Sequence, residues 1–208
     1  MHSPSPHSVR RRRTAYLAAL VGAWLASQPI PATARDARLT PPDVPTDLAV
    51  SSVTHRLFMI GHAVGTQNYV CIRRLSGEFA WVPFGPQATL FSDDGEQVIT
   101  HYLSANPDEQ GAQRATWQHS NDSSQVWAMM IAETRDAAYV EPGAIPWFLL
   151  QVVGDEDGPT GGRKLTKTRY IQRVHTSGGS APTSGCETIG ARALVPYTTD
   201  YYFWSERD

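Results

Sequence analysis

The decisive stretch of this chain is VITHYLSANPDEQGAQRATWQHSNDSSQVW, residues 98–127. Its short apolar runs are separated by polar, turn-forming segments. A His101-Tyr102 pair ends one run, and the triplet Trp117-Gln118-His119 ends the next. Short runs of this kind between turn residues are typical of β-strands. The stretch therefore predicts a β-meander whose loops carry polar and aromatic side chains.

The rest of the chain after residue 50 continues this pattern. The clearest hairpin joins residues 88–91 to residues 96–103 through Ser-Asp-Asp-Gly at 92–95, because glycine supplies the positive φ of a tight turn. The run at 145–153 is the most apolar, so Trp147, like Trp127, is expected in the core. Helical periodicity is modest and confined to residues 132–140. These features predict a single-domain all-β fold, an antiparallel β-barrel or β-sandwich with long loops.

The first 34 residues have the composition of a signal peptide. Four arginines at positions 10–13 precede an apolar run at 14–27, and Pro31-Ala-Thr-Ala34 ends in small residues at the spacing that signal peptidase requires. Cleavage after Ala34 predicts a secreted or periplasmic protein. Residues 35–50 are predicted to form an extended, proline-rich arm, and residues 51–208 the all-β domain.

The charge of the mature chain limits its partners. Removing residues 1–34 takes four of the 18 basic residues and leaves 14 against 20 acidic residues, a net charge of −6. Nucleic acids and anionic membranes demand a basic face, so neither is an expected partner. No second long apolar segment follows, and membrane insertion after signal cleavage is not expected.

Cys71 and Cys186 are the two cysteines of the chain. In an oxidising compartment an isolated pair usually forms a structural disulfide, which is the preferred interpretation here. The alternative is two separate thiols, one of them a nucleophile. Neither cysteine has a neighbouring histidine or a CxxC partner that would lower its pKa.

Catalytic and metal chemistry receive weak support. His101, His119 and Asp122 form the best candidate metal set, but metal binding needs three or four convergent ligands. The preferred interpretation is that the histidines are exposed or hydrogen-bonded loop residues. No GxSxG elbow and no GxGxxG after a strand is present, so neither a serine nucleophile nor a dinucleotide cofactor is predicted. The candidate carboxylates for glycoside cleavage are mostly turn residues: Asp93, Asp94, Glu96 and Asp200.

Binding is the better-supported class of function. His101, Tyr102, Trp117 and Gln118 combine aromatic faces with polar anchors, and Trp117 is expected to be exposed at a loop end. The predicted ligand is a small molecule or a glycan. The first alternative is an enzyme of unknown reaction centred on His101, and the second is a structural or interaction protein of the envelope. A buried ion pair between Arg173 and Asp200 is also expected.

Several motifs together resemble one family of secreted proteins. The motifs extend over nearly the whole mature chain: Gly65-Thr-Gln-Asn-Tyr-Val-Cys71, His101-Tyr102, Thr116-Trp117, Asp122-Ser-Ser124, Ile145-Pro-Trp-Phe-Leu-Leu150, Tyr170-Ile-Gln-Arg173 and Asp200-Tyr-Tyr-Phe203. They are similar to the domain of unknown function 3455. This resemblance implies a fold shared with that family and brings no established activity.

Overall fold

A computed structural model describes residues 39–207, so the predicted signal peptide lies outside the described residues. The fold is all-β, as predicted, and it is a barrel rather than a sandwich. Its eight strands are β1 (His55–Arg73), β2 (Phe79–Phe91), β3 (Gln97–Asn106), β4 (Ala112–His119), β5 (Gln125–Thr134), β6 (Trp147–Glu156), β7 (Thr168–Gly178) and β8 (Arg192–Glu206).

Each strand pairs antiparallel with its neighbours in sequence, and β1 pairs with β8 to close the barrel. Closure leaves every strand with two partners and removes exposed sheet edges. Two 3-10 helices, Thr46–Leu48 and Pro107–Glu109, complete the elements. Within residues 39–207, no helix has the length and apolar character needed to cross a membrane.

The loops gather at two ends of the barrel. We call one the disulfide end; it carries loops 74–78, 107–111, 135–146 and 179–191. The opposite end carries loops 92–96, 120–124 and 157–167. Leu165, fully buried in the last of these loops, packs into the core of the barrel interior.

The predicted hairpin is confirmed, since β2 and β3 pair from Ala88 with His101 around a turn in which Gly95 has φ +79°. Residues 132–140, where helical periodicity is modest, form no helix: β5 ends at Thr134 and turns follow. Strand β1 runs without a break through Gly61 and Gly65. A Cβ on Gly65 would lie 2.5 Å from Ala88 Cα, so glycine permits the close approach of β2.

Two hydrophobic clusters lie on the two faces of the sheet. Alternate residues of a strand face opposite sides, so Tyr201 and Phe203 point into the barrel while Tyr202 and Trp204 point outward. Trp127 and Trp147 are buried, as expected, and Trp147 belongs to the outer cluster.

The outer cluster is covered by the segment that precedes β1. Leu48, with none of its surface exposed, packs among Trp147, Trp204 and their neighbours. Its carbonyl accepts a 2.6 Å hydrogen bond from Gln172 Nε2, and the Gln172 Oε1 accepts one from Trp204 Nε1 at 2.7 Å. These two bonds satisfy the buried amide of Gln172 and the indole N–H of Trp204 beneath residues 44–50.

The predicted disulfide between Cys71 and Cys186 is confirmed, with a sequence separation of 115. It ties the end of β1 to the 179–191 loop. The described residues contain no free cysteine. A structural disulfide indicates an oxidising compartment.

Leu48→Ala should lower the free energy of unfolding by about 2–5 kcal/mol, because it opens a cavity beneath the segment before β1. Urea denaturation followed by tryptophan fluorescence measures this change. The same substitution at the fully exposed Leu75 is the control and should stay within about 0.5 kcal/mol of wild type. Equal stability of the two variants would contradict the packing described.

Replacing both cysteines with serine should lower the free energy of unfolding by about 2–5 kcal/mol, since the unfolded chain regains the freedom of a long loop. Denaturation curves of the oxidised wild type, the reduced wild type and the double variant make the comparison. The last two should agree. A double variant as stable as the oxidised protein would show that the bridge contributes nothing.

Candidate functional site

Strand register brings two sets of inward side chains to face each other across the barrel. In the first set, Arg173 of β7 pairs with Phe148 of β6 and with Tyr201 of β8. In the second, His101 of β3 pairs with Trp117 of β4. These residues are far apart in sequence, so it is closure of the barrel that makes them neighbours.

Residues of both sets line a cavity of about 140 Å³. Its lining combines one cation with aromatic, amide and apolar side chains: Gln67, Pro86, His101, Ala115, Trp117, Phe148, Leu150, Arg173 and Tyr201. Pro86, Ala115 and Phe148 keep partial exposure, and the last two lie toward the disulfide end, where β4 and β6 begin. The cavity therefore opens on that side.

His101 is a neutral hydrogen-bonding group on the cavity wall. Burial lowers the pKa of its imidazole to about 3, although the bond to Thr116 opposes the shift. Nδ1 lies 2.8 Å from the Thr116 carbonyl oxygen, which can only accept, so Nδ1 carries the proton. Nε2 is consequently an acceptor, and no described residue bonds to it.

Three aromatic rings support one another on this wall. The His101 ring stacks on Trp117 with centroids 4.2 Å apart, and Tyr201 meets both rings edge-on. Trp117 is fully buried, yet its indole Nε1 has no hydrogen-bond partner among the described residues. Tyr197 Oη is unpartnered in the same way. Buried donors are normally paired, so each of these needs an explanation.

Arg173 is buried, with 7% of its surface exposed, and it does not pair with Asp200. The predicted ion pair is wrong. Arg173 pairs with Tyr201 and points into the barrel, whereas Asp200, one position earlier on β8, points outward and bonds to His62 and His175. Nε and Nη2 of Arg173 donate to the Pro146 carbonyl oxygen at 3.2 and 2.8 Å. Burial lowers the pKa of Arg173, but a guanidinium remains charged near neutral pH.

The barrel wall divides the four residues predicted to bind ligand. His101 and Trp117 face the cavity, while Tyr102 and Gln118 lie on the outer face, where Tyr102 Oη donates to Gln118 Oε1 at 3.4 Å. The expected exposure of Trp117 at a loop end is wrong, because its strand turns this side chain inward.

Tyr102 instead borders shallow grooves on the outer wall. One, of about 350 Å³, lies between Asn68, Phe84 and Arg192, and another, of about 430 Å³, passes Val64. Both exceed the internal cavity in volume. Some of their polar side chains bond to one another, as when Asn68 Nδ2 donates to Gln87 Oε1. We place the candidate site in the internal cavity, because its wall holds the buried cation Arg173 and the unpartnered Nε1 of Trp117.

The candidate metal set does not form a metal site. Within residues 39–207, no group of three or more histidine, cysteine, aspartate or glutamate side chains is arranged to hold an ion. Asp122 Oδ1 accepts bonds from the Ser124 amide and hydroxyl, and Oδ2 accepts one from the Lys164 amide. Burial opposes ionisation, but these bonds lower the pKa of Asp122 to about 2. His119 Nδ1 lies 3.1 Å from Asp122 without hydrogen-bond geometry.

Sequence reasoning missed most of the cavity wall, including Gln67, Phe148, Leu150 and Tyr201. One signal was available for Arg173. It alternates onto the same face of β7 as Ile171, and an arginine on an apolar face indicates a buried, functional or structural role. Nothing in the sequence placed that face opposite Trp117, since this depends on how the barrel closes.

A second polar cluster lies on the outer wall, near the opposite end. His62 Nδ1 lies 2.7 Å from Asp200 Oδ1 and its Nε2 lies 2.8 Å from Asp93 Oδ1. His175, at a left-handed φ of 52°, bonds to the other oxygen of Asp200 at 2.9 Å. Because carboxylates accept at both ring nitrogens, the doubly protonated form of His62 fits best.

The chain belongs to the family described as a protein of unknown function (DUF3455), whose model matches residues 52–205. The resemblance found in the sequence is thereby confirmed. No curated protein and no solved structure matches the chain. The description of the family carries no activity, so the function must be argued from the barrel itself.

The cluster around His62 should make stability depend on pH. Hydrogen bonding to Asp93 raises the pKa of His62 above 6.5. The contribution of protonated His62 to the free energy of unfolding is therefore complete below pH 6.5, and it is lost as pH rises through the raised pKa. Burial opposes ionisation of Asp200, but His175 and His62 lower its pKa overall, so that contribution is lost only at acid pH.

His62→Gln should therefore remove about 0.2–1 kcal/mol of stability at mildly acid pH, a small effect because the ring is 44% exposed. Melting temperatures measured as pH is raised above 6.5 should converge for the two proteins. His55→Gln is the control, since the His55 ring contacts Thr54 rather than a carboxylate. A constant difference across the pH range would refute the assignment.

Proposed function

We propose that this protein binds one compact small molecule inside its barrel. The observation that carries the proposal is the cavity between His101, Trp117, Arg173 and Tyr201, whose wall holds polar groups without protein partners. Eight-stranded barrels have an interior just wide enough to be filled by side chains or to hold one small ligand. A few convergent polar groups among apolar ones are typical of such ligand sites.

The volume of the cavity favours a small molecule over a glycan. A cavity of about 150 Å³ accommodates benzene, and this one measures about 140 Å³. A molecule of that size with one or two polar substituents fits, whereas a sugar chain does not. Glycan binding would have to use the outer grooves beside Tyr102.

The enzyme alternative centred on His101 receives less support. A pKa of about 3 makes the imidazole a weak base at neutral pH, and efficient general bases titrate near the working pH. His101 is better suited to accept a hydrogen bond at Nε2.

The proposal includes export from the cytoplasm. The disulfide favours an oxidising compartment, and the arginine run, apolar run and small residues before position 35 favour a signal peptide cleaved after Ala34. A binding protein of the periplasm or the extracellular medium agrees with both features.

The test is a screen of neutral and acidic compounds close to benzene in size, detected by saturation-transfer NMR and by fluorescence of the protein. Binders should saturate at one molecule per chain. Ala115→Leu extends a side chain into the cavity and should abolish binding while the protein stays folded. Ala49→Leu makes the same change at an exposed position and should leave binding intact.

Two results would overturn the proposal. One is the absence of any binder in the panel, which would favour a structural role for the barrel. The other is binding that survives in Ala115→Leu, which would move the site to the outer wall. Melting temperatures of both variants show whether the fold is retained.

A further inference from the structure

The cavity contains a buried cation without a counter-ion. No carboxylate of the described residues lies within salt-bridge distance of Arg173, although the chain carries an acidic excess. None of the residues lining the cavity is acidic. Buried charges are almost always paired, because taking a charge out of water is costly.

The protein compensates this charge only in part. The Pro146 carbonyl oxygen accepts from Nε and Nη2, and the guanidinium lies 3.8 Å from the ring centroid of Phe148. A guanidinium has five N–H donors in a planar fork. The bonds to Pro146 use one edge of the fork and leave donors free for another acceptor.

Two of the surrounding side chains, Trp117 and Tyr201, are also suited to an acceptor, whereas His101 Nε2 on the same wall is itself an acceptor. Trp117 Nε1 can only donate, and Tyr201, whose hydroxyl can donate, also lines the cavity. Ala115, Phe148 and Leu150 provide apolar surface beside these groups. The cavity thus offers one positive charge, several donors and an apolar wall in a volume close to that of benzene.

We propose that the ligand is a compact organic monocarboxylate. Its carboxylate accepts hydrogen bonds from Arg173, and its carbon skeleton lies against Ala115, Phe148 and Leu150. This inference rests on the proposed function, since it assumes that the ligand occupies the cavity. A carboxylate fits better than inorganic phosphate for two reasons. The planar guanidinium of Arg173 matches the two coplanar oxygens of a carboxylate. The apolar wall can bury the carbon skeleton of an organic acid, and inorganic phosphate has none.

The experiment compares acids with amides of the same shape on the full mature protein. The pairs are benzoate with benzamide, crotonate with crotonamide, and cyclopentanecarboxylate with its carboxamide, measured by isothermal titration calorimetry at neutral pH. At least one acid should bind with 1:1 stoichiometry, and its amide should bind at least about tenfold more weakly, as expected when a charged hydrogen bond is lost.

Arg173→Gln keeps an amide donor but removes the charge, and it should weaken binding of the acid by about tenfold to a hundredfold. Arg173→Lys keeps the positive charge but lacks the planar guanidinium, so its affinity for the acid should lie between those of the wild type and Arg173→Gln. Arg192→Gln is the matched control, because Arg192 lies on the outer wall beside Phe84. It should bind like wild type.

The outcomes separate this inference from the proposed function. Amides that bind as tightly as acids, or an Arg173→Gln variant with wild-type affinity, would refute the proposal that the ligand is a carboxylate. A neutral ligand in the cavity would then remain the proposed function. If Arg173→Gln does not fold, the comparison of acids with amides on the wild type decides. No binding by any neutral or acidic compound would reject the cavity as a ligand site and the carboxylate with it.

Discussion

The pairing of β1 with β8 is the constraint on which the rest of this structure depends. It joins the first strand to the last along fifteen pairs of residues, from His55 with Glu206 to Val70 with Arg192. Without it the sheet would be open, and Arg173 and Tyr201 would lie on a flat surface rather than opposite His101 and Trp117. The internal cavity follows from this one closure.

The fold could largely be predicted from local pattern, because alternation and turn residues act over a few positions. The hairpin around Gly95 and the pairing of Cys71 with Cys186 were both predicted correctly. Of the four residues predicted to bind ligand, His101 and Trp117 line the candidate cavity, whereas Tyr102 and Gln118 lie on the outer face. Which face becomes the interior depends on the curvature of the sheet, and curvature cannot be predicted from the sequence of a single strand.

Arg173 shows the same difficulty of predicting which side of the sheet a residue faces. An arginine and an aspartate in neighbouring strands were expected to pair, but one position of alternation sends them to opposite sides of the wall. Asp200 then finds two histidines outside, and Arg173 is left with a backbone carbonyl and an aromatic ring inside. The acidic surface and the cationic interior are therefore separate features of one sheet.

Closure between the two terminal strands also affects how the chain folds. The Arg207 side chain bonds to the carbonyl oxygen of His55 across 152 positions of sequence, so the final contacts require almost the whole chain. Contacts of such separation slow folding. A chain that lacks β8 leaves β1 and β7 each with one unpaired edge, so the barrel closes only when the last strand is available.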